Sequence, residues 1–370
     1  MPDLSELAAV AARALHPRFG AVTLTPTTPL TSSRSTVFRA HLRPAGVLGS
    51  VVVKAPTGSA PWRERAALDV LGRAGVGGVP ELLAGSDDPP LIVLADAGTG
   101  PSLADRLLGT DPDAATDALL TWAGATATLQ ASTAGLAVPF TEALAAASAF
   151  GAPPADTSAE DLAEAAAALA THLPQLGVTP GPAALEALRT VPAALPADGS
   201  ALDPGDACPD NNVETADGLI LLDFEFAAHR HVAWHAAYLR VPWPTCWCSW
   251  RLPPEVARRA LDRWRTTLAP TVPAVATPAF EATLDLVTAA WALLSVSWFL
   301  PLALAGDPPT TEPTRPRPSR RQMVQSRLDT LAQLPLPAGY EPLRRLGAEA
   351  YDATVRVWGP QPMPLAPAYR

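Results

Sequence analysis

The chain has 370 residues, is 48% hydrophobic and 17% charged, and carries a formal net charge of −9. This length is long for one hydrophobic core, so two lobes are expected, and the composition is that of a folded rather than a disordered protein. The negative charge argues against a nucleic-acid partner, because binding a phosphate backbone requires a basic face. It would tolerate a cationic small molecule. Nothing in the composition predicts an oligomeric state.

The cysteines and apolar segments bear on location. Cys208, Cys246 and Cys248 are too few for a disulfide framework and indicate a reducing compartment, and without a second Cys or His pair at finger spacing we expect no zinc site. No basic-then-apolar leader is recognisable, so we expect no signal peptide. The apolar stretch 289–305 contains Pro301 and predicts a buried helix rather than a membrane span. We therefore expect a cytoplasmic protein with no membrane contact.

The first hundred residues predict a small antiparallel sheet. An amphipathic helix comes first, and β-branched alternating segments follow, interrupted by one further helix. The predicted helices are 5–15 and 61–71, and the predicted strands are 22–28, 36–42, 49–55, 81–84 and 91–94. The short connections favour antiparallel pairing.

Beyond residue 97 the pattern is mostly helical. Periodic apolar positions with capping residues predict helices at 102–108, 113–134, 158–173, 182–191, 254–268, 278–300, 320–331 and 341–358. The Pro- and Arg-rich segment 308–318 is expected to be an exposed loop or linker. The fold class predicted is therefore α+β and bilobal, with a sheet lobe over residues 1–97 and a larger helical lobe over 98–370.

The segment 202–226 interrupts the helical pattern and carries the clearest chemistry. Asn211 follows Asp206 by five positions, and Asp223 ends the apolar run 219–222. In phosphoryl transfer a loop carboxylate accepts the proton of the attacking hydroxyl, while an amide oxygen and a second carboxylate hold Mg²⁺. The order and spacing predict a catalytic loop at 204–213, with Asp206 as base and Asn211 as a metal ligand. They also predict a metal-binding segment at 219–226, with Asp223 as the second ligand.

An ordinary turn is the alternative interpretation, since Asp, Asn, Pro and Gly are common turn residues. Composition weighs against it. Asn211 and Asn212 are the only asparagines in the chain, so a sequence that makes its other turns without asparagine places two at this loop. We take the amide as functionally required.

A single lysine, Lys54, follows the apolar run 51–53. A compact ammonium fits between two phosphate oxygens, whereas the guanidinium used for charge elsewhere in the chain is a wide planar fork. Lys54 is therefore the predicted nucleotide-phosphate ligand, with Glu64 on the next helix as its ion-pair partner. The alternative is that Lys54 is an ordinary surface lysine and Glu64 a solvated residue of its helix.

Two further stretches complete the predicted nucleotide site. The turn 31–36 lacks a Gly-rich pattern, but the hydroxyls and amides of Ser32, Ser33 and Ser35 can bond phosphate oxygens. A Ser-rich hairpin is also commonplace. At the change from strand to helix, the backbone around Leu94, Asp96 and Ala97 is in place to pair with an adenine edge.

These residues together resemble the aminoglycoside phosphotransferase and choline kinase family, over about residues 23–239. The resemblance is carried by the serine turn with residues 36–39, Val53-Lys54, 63–68, 91–98, Gly205-Asp206 with Asn211, and 222–225. It implies a protein-kinase-like fold and the same roles for Lys54, Glu64, Asp206, Asn211 and Asp223. It also implies transfer of a phosphoryl group from ATP, or another nucleoside triphosphate, to the hydroxyl of an antibiotic or metabolite.

The chain departs from the family pattern at three places. Pro204 stands where the family usually has a His that braces the catalytic loop. His235 begins the stretch where the family often has Asp-Leu-Ala, which removes a carboxylate expected to support that loop. Gln130 lies where the family often shows His.

The acceptor side is less defined. Trp243, Trp247 and Trp250 lie within eight positions and form either an aromatic wall for the substrate or ordinary packing between helices. Asp210 and Glu225 are candidate partners for a substrate amine. His229, His231 and His235 are too loosely spaced for a metal site.

We therefore expect an ATP- and Mg²⁺-dependent kinase of a small-molecule hydroxyl, such as that of an aminoglycoside, a macrolide, a nucleoside or a metabolite alcohol. Two other functions remain open on the same fold. One is a catalytically inactive nucleotide-binding or regulatory protein, and the other is an enzyme that transfers a nucleotidyl group.

Overall fold

A computed structural model describes residues 3–30, 35–44, 49–56, 62–147, 153–307 and 316–370. It confirms the predicted fold class, with a five-stranded antiparallel sheet joined to a larger helical part. The predicted loop 308–318 lies mostly outside the described residues.

The sheet lobe contains a helix, three strands, a second helix and two strands in chain order. The elements are α1 (Leu4–Phe19), β1 (Thr23–Leu30), β2 (Ser35–Arg43), β3 (Ser50–Pro56), α2 (Trp62–Arg73), β4 (Leu82–Asp87) and β5 (Pro90–Ala95). The spatial order is β1-β2-β3-β5-β4, with every neighbouring pair antiparallel. All predicted strands of this region are present.

Alternation along β3 determines what each side chain faces. Val51 and Val53 are buried in the core that the sheet shares with α1. Successive strand residues point to opposite faces, so Val52 and Lys54 face the other way, toward the helical lobe. The lysine is thereby presented to the space between the lobes.

The helical lobe contains the remaining elements. They are α3 (Leu103–Leu108), α4 (Pro112–Thr133), α5 (Ala137–Ala147), α6 (Ser158–His172), α7 (Pro182–Ala194), β6 (Ser200–Asp203), β7 (Asn212–Thr215), β8 (Gly218–Leu221), β9 (Ala228–His231), α8 (Ala233–Ala236), α9 (Pro254–Leu268), α10 (Ala279–Leu304), α11 (Arg320–Gln333) and α12 (Glu341–Trp358). Helix α5, helix α8, strand β7 and the β6–β9 pair were not predicted. Each of these is short, so its periodicity is weak.

Helix α10 is the one described helix long and apolar enough to cross a membrane. Its most apolar stretch is 78% buried, and the helix lies against α6 and α11. It is therefore the central helix of this lobe, as the sequence predicted. Its apolar surface is covered by protein.

Two small hairpin-like sheets carry the loop predicted to be catalytic. β6 pairs with β9, and β7 pairs with β8, both antiparallel. The chain from Pro204 to Asn211 runs between β6 and β7, and Asp223 comes two residues after β8 ends. The two pairs thus anchor both polar segments on the same side of the helical lobe.

Candidate active site

Lys54 joins the two lobes. Its side chain is only 11% exposed, and its Nζ lies 2.7 Å from Glu64 Oε2 on α2. The same nitrogen donates to Asp223 Oδ1 at 2.5 Å and lies 3.5 Å from Glu225 Oε2. The predicted pair of Lys54 and Glu64 is present, and the lysine also reaches the segment after β8.

Carboxylates lie close around the Lys54 ammonium. Those of Glu64 and Asp223 lie 2.7 and 2.5 Å from Nζ, and that of Glu225 lies 3.5 Å away. Burial raises the pKa of Glu64 to about 7, although the Lys54 charge opposes the rise. Burial alone would lower the pKa of Lys54, but Glu64 and Asp223 outweigh it and raise the pKa, so the lysine stays charged. These carboxylates therefore favour positive charge at this position.

The conformation of the predicted catalytic loop requires particular residues. Gly205 has φ 85°, and a Cβ there would lie 2.0 Å from the carbonyl oxygen of Phe226. Only glycine permits both that conformation and that close approach. Farther along, Asn211 Nδ2 donates to the Asp206 carbonyl oxygen at 2.9 Å. The loop is thus closed across the five positions that separate its two predicted functional residues.

Asp203 supports the start of the loop through buried polar contacts. It is fully buried, accepts from Arg230 Nη2 at 2.8 Å and from the Gly205 amide at 2.7 Å, and lies 3.0 Å from His235 Nδ1. Burial would raise the pKa of Asp203, but the Arg230 charge and the His235 hydrogen bond hold it well below its usual range.

The departures at Pro204 and His235 are therefore related. The carboxylate stands at Asp203, before Pro204, and the imidazole stands at His235, whereas the resemblance leads one to expect the opposite arrangement. Asp203, one position before Pro204, and His235 together supply the support that the sequence appeared to lack.

A cavity of about 750 Å³ lies between the lobes. Most of the predicted functional residues contribute to its wall. From the sheet lobe and the connection they are Lys54, Glu64, Leu94, Asp96 and Ala97, and from the helical lobe Asp206, Asp210, Asn211, Asp223, Glu225 and Trp247. The lysine and the oxygen-bearing side chains therefore converge on one space, although Lys54 and Asp223 are 169 residues apart in sequence.

The connection between the lobes is held by Asp96. Its carboxylate accepts from Arg39 Nε and Nη2, from Ser50 Oγ at 2.7 Å and from the Gly98 amide at 2.9 Å. Burial acts to raise the pKa of Asp96, but these bonds lower it overall. The Asp96 side chain is thus engaged by these hydrogen bonds, so the connection presents its backbone to the cavity.

Of the predicted residues that the structure describes, Ser35 and Trp243 do not line the cavity. Ser32 and Ser33 lie outside the described residues. Ser35 begins β2 and is buried. Trp243 is 0% exposed and packs edge-on against Trp122, so the packing interpretation holds for it.

Trp250 is also buried, whereas Trp247 lies at the cavity wall and donates from Nε1 to Asp210 Oδ2 at 2.8 Å.

The cysteine interpretation needs a correction. Cys208 and Cys246 form a disulfide, with their Cα atoms 5.4 Å apart. The bridge connects two segments 38 residues apart, a proximity that their spacing does not reveal. Three cysteines therefore do not indicate a reducing compartment here. Asp210 lies near both sulfurs, but with the sulfurs bonded to each other they are not thiolate ligands for a metal.

The donors around the cavity fit a hard divalent cation. The Asn211 amide nitrogen donates to the Asp206 carbonyl oxygen, so the amide oxygen is the atom left to bind a cation. Asp223 supplies a carboxylate, and its backbone has φ 63°. Non-glycine residues rarely adopt this left-handed conformation, and those that do cluster at functional sites. Oxygen donors of this kind match the preferences of Mg²⁺ or Ca²⁺.

Several residues of the site were missed from the sequence. Arg39, Asp203, Arg230 and Thr245 all contact loop or connection residues. The only signal available was the carboxylate three positions before Asp206. An arginine gave no signal, because arginines are numerous in this chain.

A small antiparallel sheet with a buried lysine, a helix carrying its glutamate, and a helical lobe carrying the Asp206 loop together define the bilobal protein-kinase-like fold. The chain has the fold of small-molecule kinases, which confirms the resemblance drawn from the sequence at the level of fold.

Solved structures support this assignment. A putative aminoglycoside phosphotransferase from Ralstonia eutropha is 13% identical with a TM-score of 0.57, covering 96% of this chain and 98% of its own. A choline/ethanolamine kinase family protein from Mesorhizobium loti is 16% identical with a TM-score of 0.54, covering 93% and 98%. The amicoumacin kinase hAmiN, solved with AMP-PNP, Ca²⁺ and Ami, is 13% identical with a TM-score of 0.52, covering 95% and 94%. No protein-family model and no curated protein sequence matches the chain.

Proposed function

We propose that the chain is a phosphotransferase that moves the γ-phosphoryl group of ATP to a hydroxyl group of a small molecule. The observation that carries this proposal is the convergence of Lys54, Asp206, Asn211 and Asp223 on one cavity between the lobes. The similar structures are a choline/ethanolamine kinase family protein, a putative aminoglycoside phosphotransferase and an amicoumacin kinase with AMP-PNP, and they support the same class of reaction.

In this proposal the triphosphate occupies the cavity, with its adenine against the backbone of residues 94–97. Lys54, held by Glu64, contacts phosphate oxygens and neutralises their charge. Asn211 and Asp223 would hold a divalent cation, which supplies further neutralisation of the phosphates. The carboxylate of Asp223, which contacts Lys54, would then also serve as a ligand of the cation.

Asp206 orients the acceptor hydroxyl and accepts its proton. The acceptor oxygen forms a bond to the γ-phosphorus as the bond from that phosphorus to the bridging oxygen breaks, and ADP leaves with that oxygen. Because the transition state is loose, positioning and charge neutralisation contribute more than the strength of the base.

The acceptor is proposed only as a class. Asp210 and Glu225 at the cavity wall would favour a hydroxyl compound that also carries an amine, such as an amino alcohol or aminoglycoside. The indole of Trp247 would accept an apolar face. A cytoplasmic location, a domain division after Ala97 and a role in antibiotic resistance remain parts of the proposal.

The test is a phosphate-transfer screen with ATP and MgCl₂ over amino alcohols, aminoglycosides, macrolides and nucleosides, read by mass spectrometry. Transfer adds about 80 daltons to the acceptor, the mass of one phosphoryl group. Addition of a nucleotidyl mass instead would establish the alternative transfer.

Asp206→Asn is the variant for this screen. We expect turnover to fall by about 100-fold or more, while the AMP-PNP affinity changes little. Asp262→Asn is the matched control, since Asp262 pairs with Arg258 on the surface. If the wild-type protein binds AMP-PNP but transfers nothing, the inactive nucleotide-binding alternative is correct.

A further inference from the structure

The segment 242–250, here called the tryptophan–cysteine segment, runs along the catalytic loop in a regular register. Thr245 Oγ1 donates to Asp206 Oδ1 at 2.6 Å, Cys246 is bridged to Cys208, and Trp247 Nε1 donates to Asp210 Oδ2 at 2.8 Å. Three consecutive residues of the segment thus contact alternate residues of the loop. All six line the cavity. The segment is therefore part of the active-site wall.

The contact of Thr245 is made to the very carboxylate that is proposed as the base. A threonine hydroxyl has one proton, and here it is given to Asp206 Oδ1. The Tyr238 hydroxyl lies 3.2 Å from Thr245 Oγ1 and donates to the Gly205 carbonyl oxygen at the same distance. Burial and the nearby Asp206 charge raise the pKa of Tyr238, so this phenol remains a hydrogen-bond donor.

The other end of the segment is anchored in the core. Ser249 Oγ donates to the carbonyl oxygens of Trp243 and Cys246, at 2.5 and 2.8 Å, and accepts from Arg327 Nη2 at 3.0 Å. Trp243 has φ 41°, a left-handed backbone that is costly for a bulky residue and persists only where its surroundings enforce it. The position of Thr245 is thus determined by buried contacts on both of its sides.

We propose that Thr245 is a positioning residue for Asp206: its hydroxyl fixes the orientation of the carboxylate that receives the acceptor proton. This inference rests on the proposed phosphotransferase function. A carboxylate bound to a loop by rotatable bonds samples several orientations, and a misplacement of about 1 Å costs about 100-fold in rate.

The test compares Thr245→Val, which removes the hydroxyl but keeps the β-branched shape, with Thr245→Ser, which keeps the hydroxyl. The assay measures kcat and KM for ATP with MgCl₂ and the best acceptor from the screen. We expect Thr245→Val to lower kcat by about 10- to 100-fold with KM for ATP nearly unchanged. Thr245→Ser should retain most of the wild-type rate.

The affinity for AMP-PNP separates positioning from general loss of structure. Thr245→Val should bind AMP-PNP as tightly as the wild-type protein, because the lost hydroxyl contacts Asp206 and not the residues proposed to hold the nucleotide. Thr330→Val is the matched control, because Thr330 donates only within α11, to the Ser326 carbonyl oxygen. It should leave both kcat and the AMP-PNP affinity unchanged.

Wild-type kcat in Thr245→Val would overturn this inference and leave the phosphotransferase proposal intact. The same holds if Thr245→Ser is as impaired as Thr245→Val. Absence of transfer by the wild-type protein to every acceptor would overturn the proposed function, and the role of Thr245 with it.

Discussion

Lys54 Nζ lies 2.5 Å from Asp223 Oδ1, across a sequence separation of 169 residues. This contact links the third strand of the sheet lobe to the segment that follows β8 in the helical lobe. Both side chains are largely withdrawn from water, at 11% and 28% exposure. Charge attraction between partly buried groups is screened little by salt, so the pair contributes to lobe closure as well as to the proposed chemistry.

Replacing Lys54 with arginine should abolish most of the activity even though the charge is kept. The planar guanidinium cannot occupy the compact position between Glu64 and Asp223 without displacing one of them. We expect kcat/KM for ATP to fall by about 100-fold, measured by steady-state ADP release. Arg106→Lys is the reverse exchange at a surface pair with Glu214 and should have little effect. Near-normal turnover in Lys54→Arg would argue against a phosphate-binding role.

Asp203→Asn should destabilise the helical lobe. The change leaves the buried Arg230 guanidinium without its charged partner, and removing one member of a buried pair costs about 3–5 kcal/mol in the free energy of unfolding. Urea unfolding followed by circular dichroism gives the value. The control is Asp69→Asn, which breaks an exposed i,i+4 pair with Arg73 and should cost about 0.5 kcal/mol or less. Similar losses in both variants would contradict a brace at Asp203.

His231→Asn should flatten the pH dependence of stability. Burial lowers the pKa of His231 to about 4, and its Nδ1 accepts from the Ala233 amide. Between about pH 6.5 and 4 the unfolded chain therefore binds a proton that the folded protein does not, so this group costs stability as the pH falls. Its contribution is fully favourable above about pH 6.5.

Glu64 acts in the opposite direction in part of this range, because its pKa is raised to about 7 in the folded protein. The measurement is therefore the difference in unfolding free energy between His231→Asn and wild type, taken from pH 7 to pH 4. This difference should change by about 1–3 kcal/mol in favour of the variant toward pH 4. Asparagine keeps an acceptor near the position of Nδ1. A difference that does not vary with pH would refute the prediction.

Reduction of the Cys208–Cys246 bridge should lower stability and loosen the tryptophan–cysteine segment. A bridge that closes a loop of this length stabilises by about 2–4 kcal/mol. We expect dithiothreitol to lower the melting temperature of the wild-type protein and to leave that of a Cys208→Ser, Cys246→Ser double variant unchanged. Thiol titration of the unfolded chain reports the redox state. An equal response of both proteins to dithiothreitol would show that the bridge is not its target.

Much of the fold was readable from local pattern. Period-two alternation predicted the sheet strands, and period-three-to-four apolar spacing with caps predicted the long helices. The misses were α5, α8, β7 and the β6–β9 pair, which are short segments of 4–11 residues. Elements of that length carry too few repeats for a period to be recognised, and tertiary contacts stabilise them more than their own propensity does.

The sequence by itself determined the types of residue available for chemistry: one lysine, two adjacent asparagines, and carboxylates at positions 206 and 223 with strand and loop spacing between them. It did so because phosphoryl transfer needs specific atoms in a fixed chain order. Only the tertiary structure decided which groups support them. The exchange of Asp203 and His235, the bridge from Cys208 to Cys246 and the hydroxyl of Thr245 on Asp206 all depend on contacts between segments about 30–40 residues apart, and local sequence carries no record of such distances.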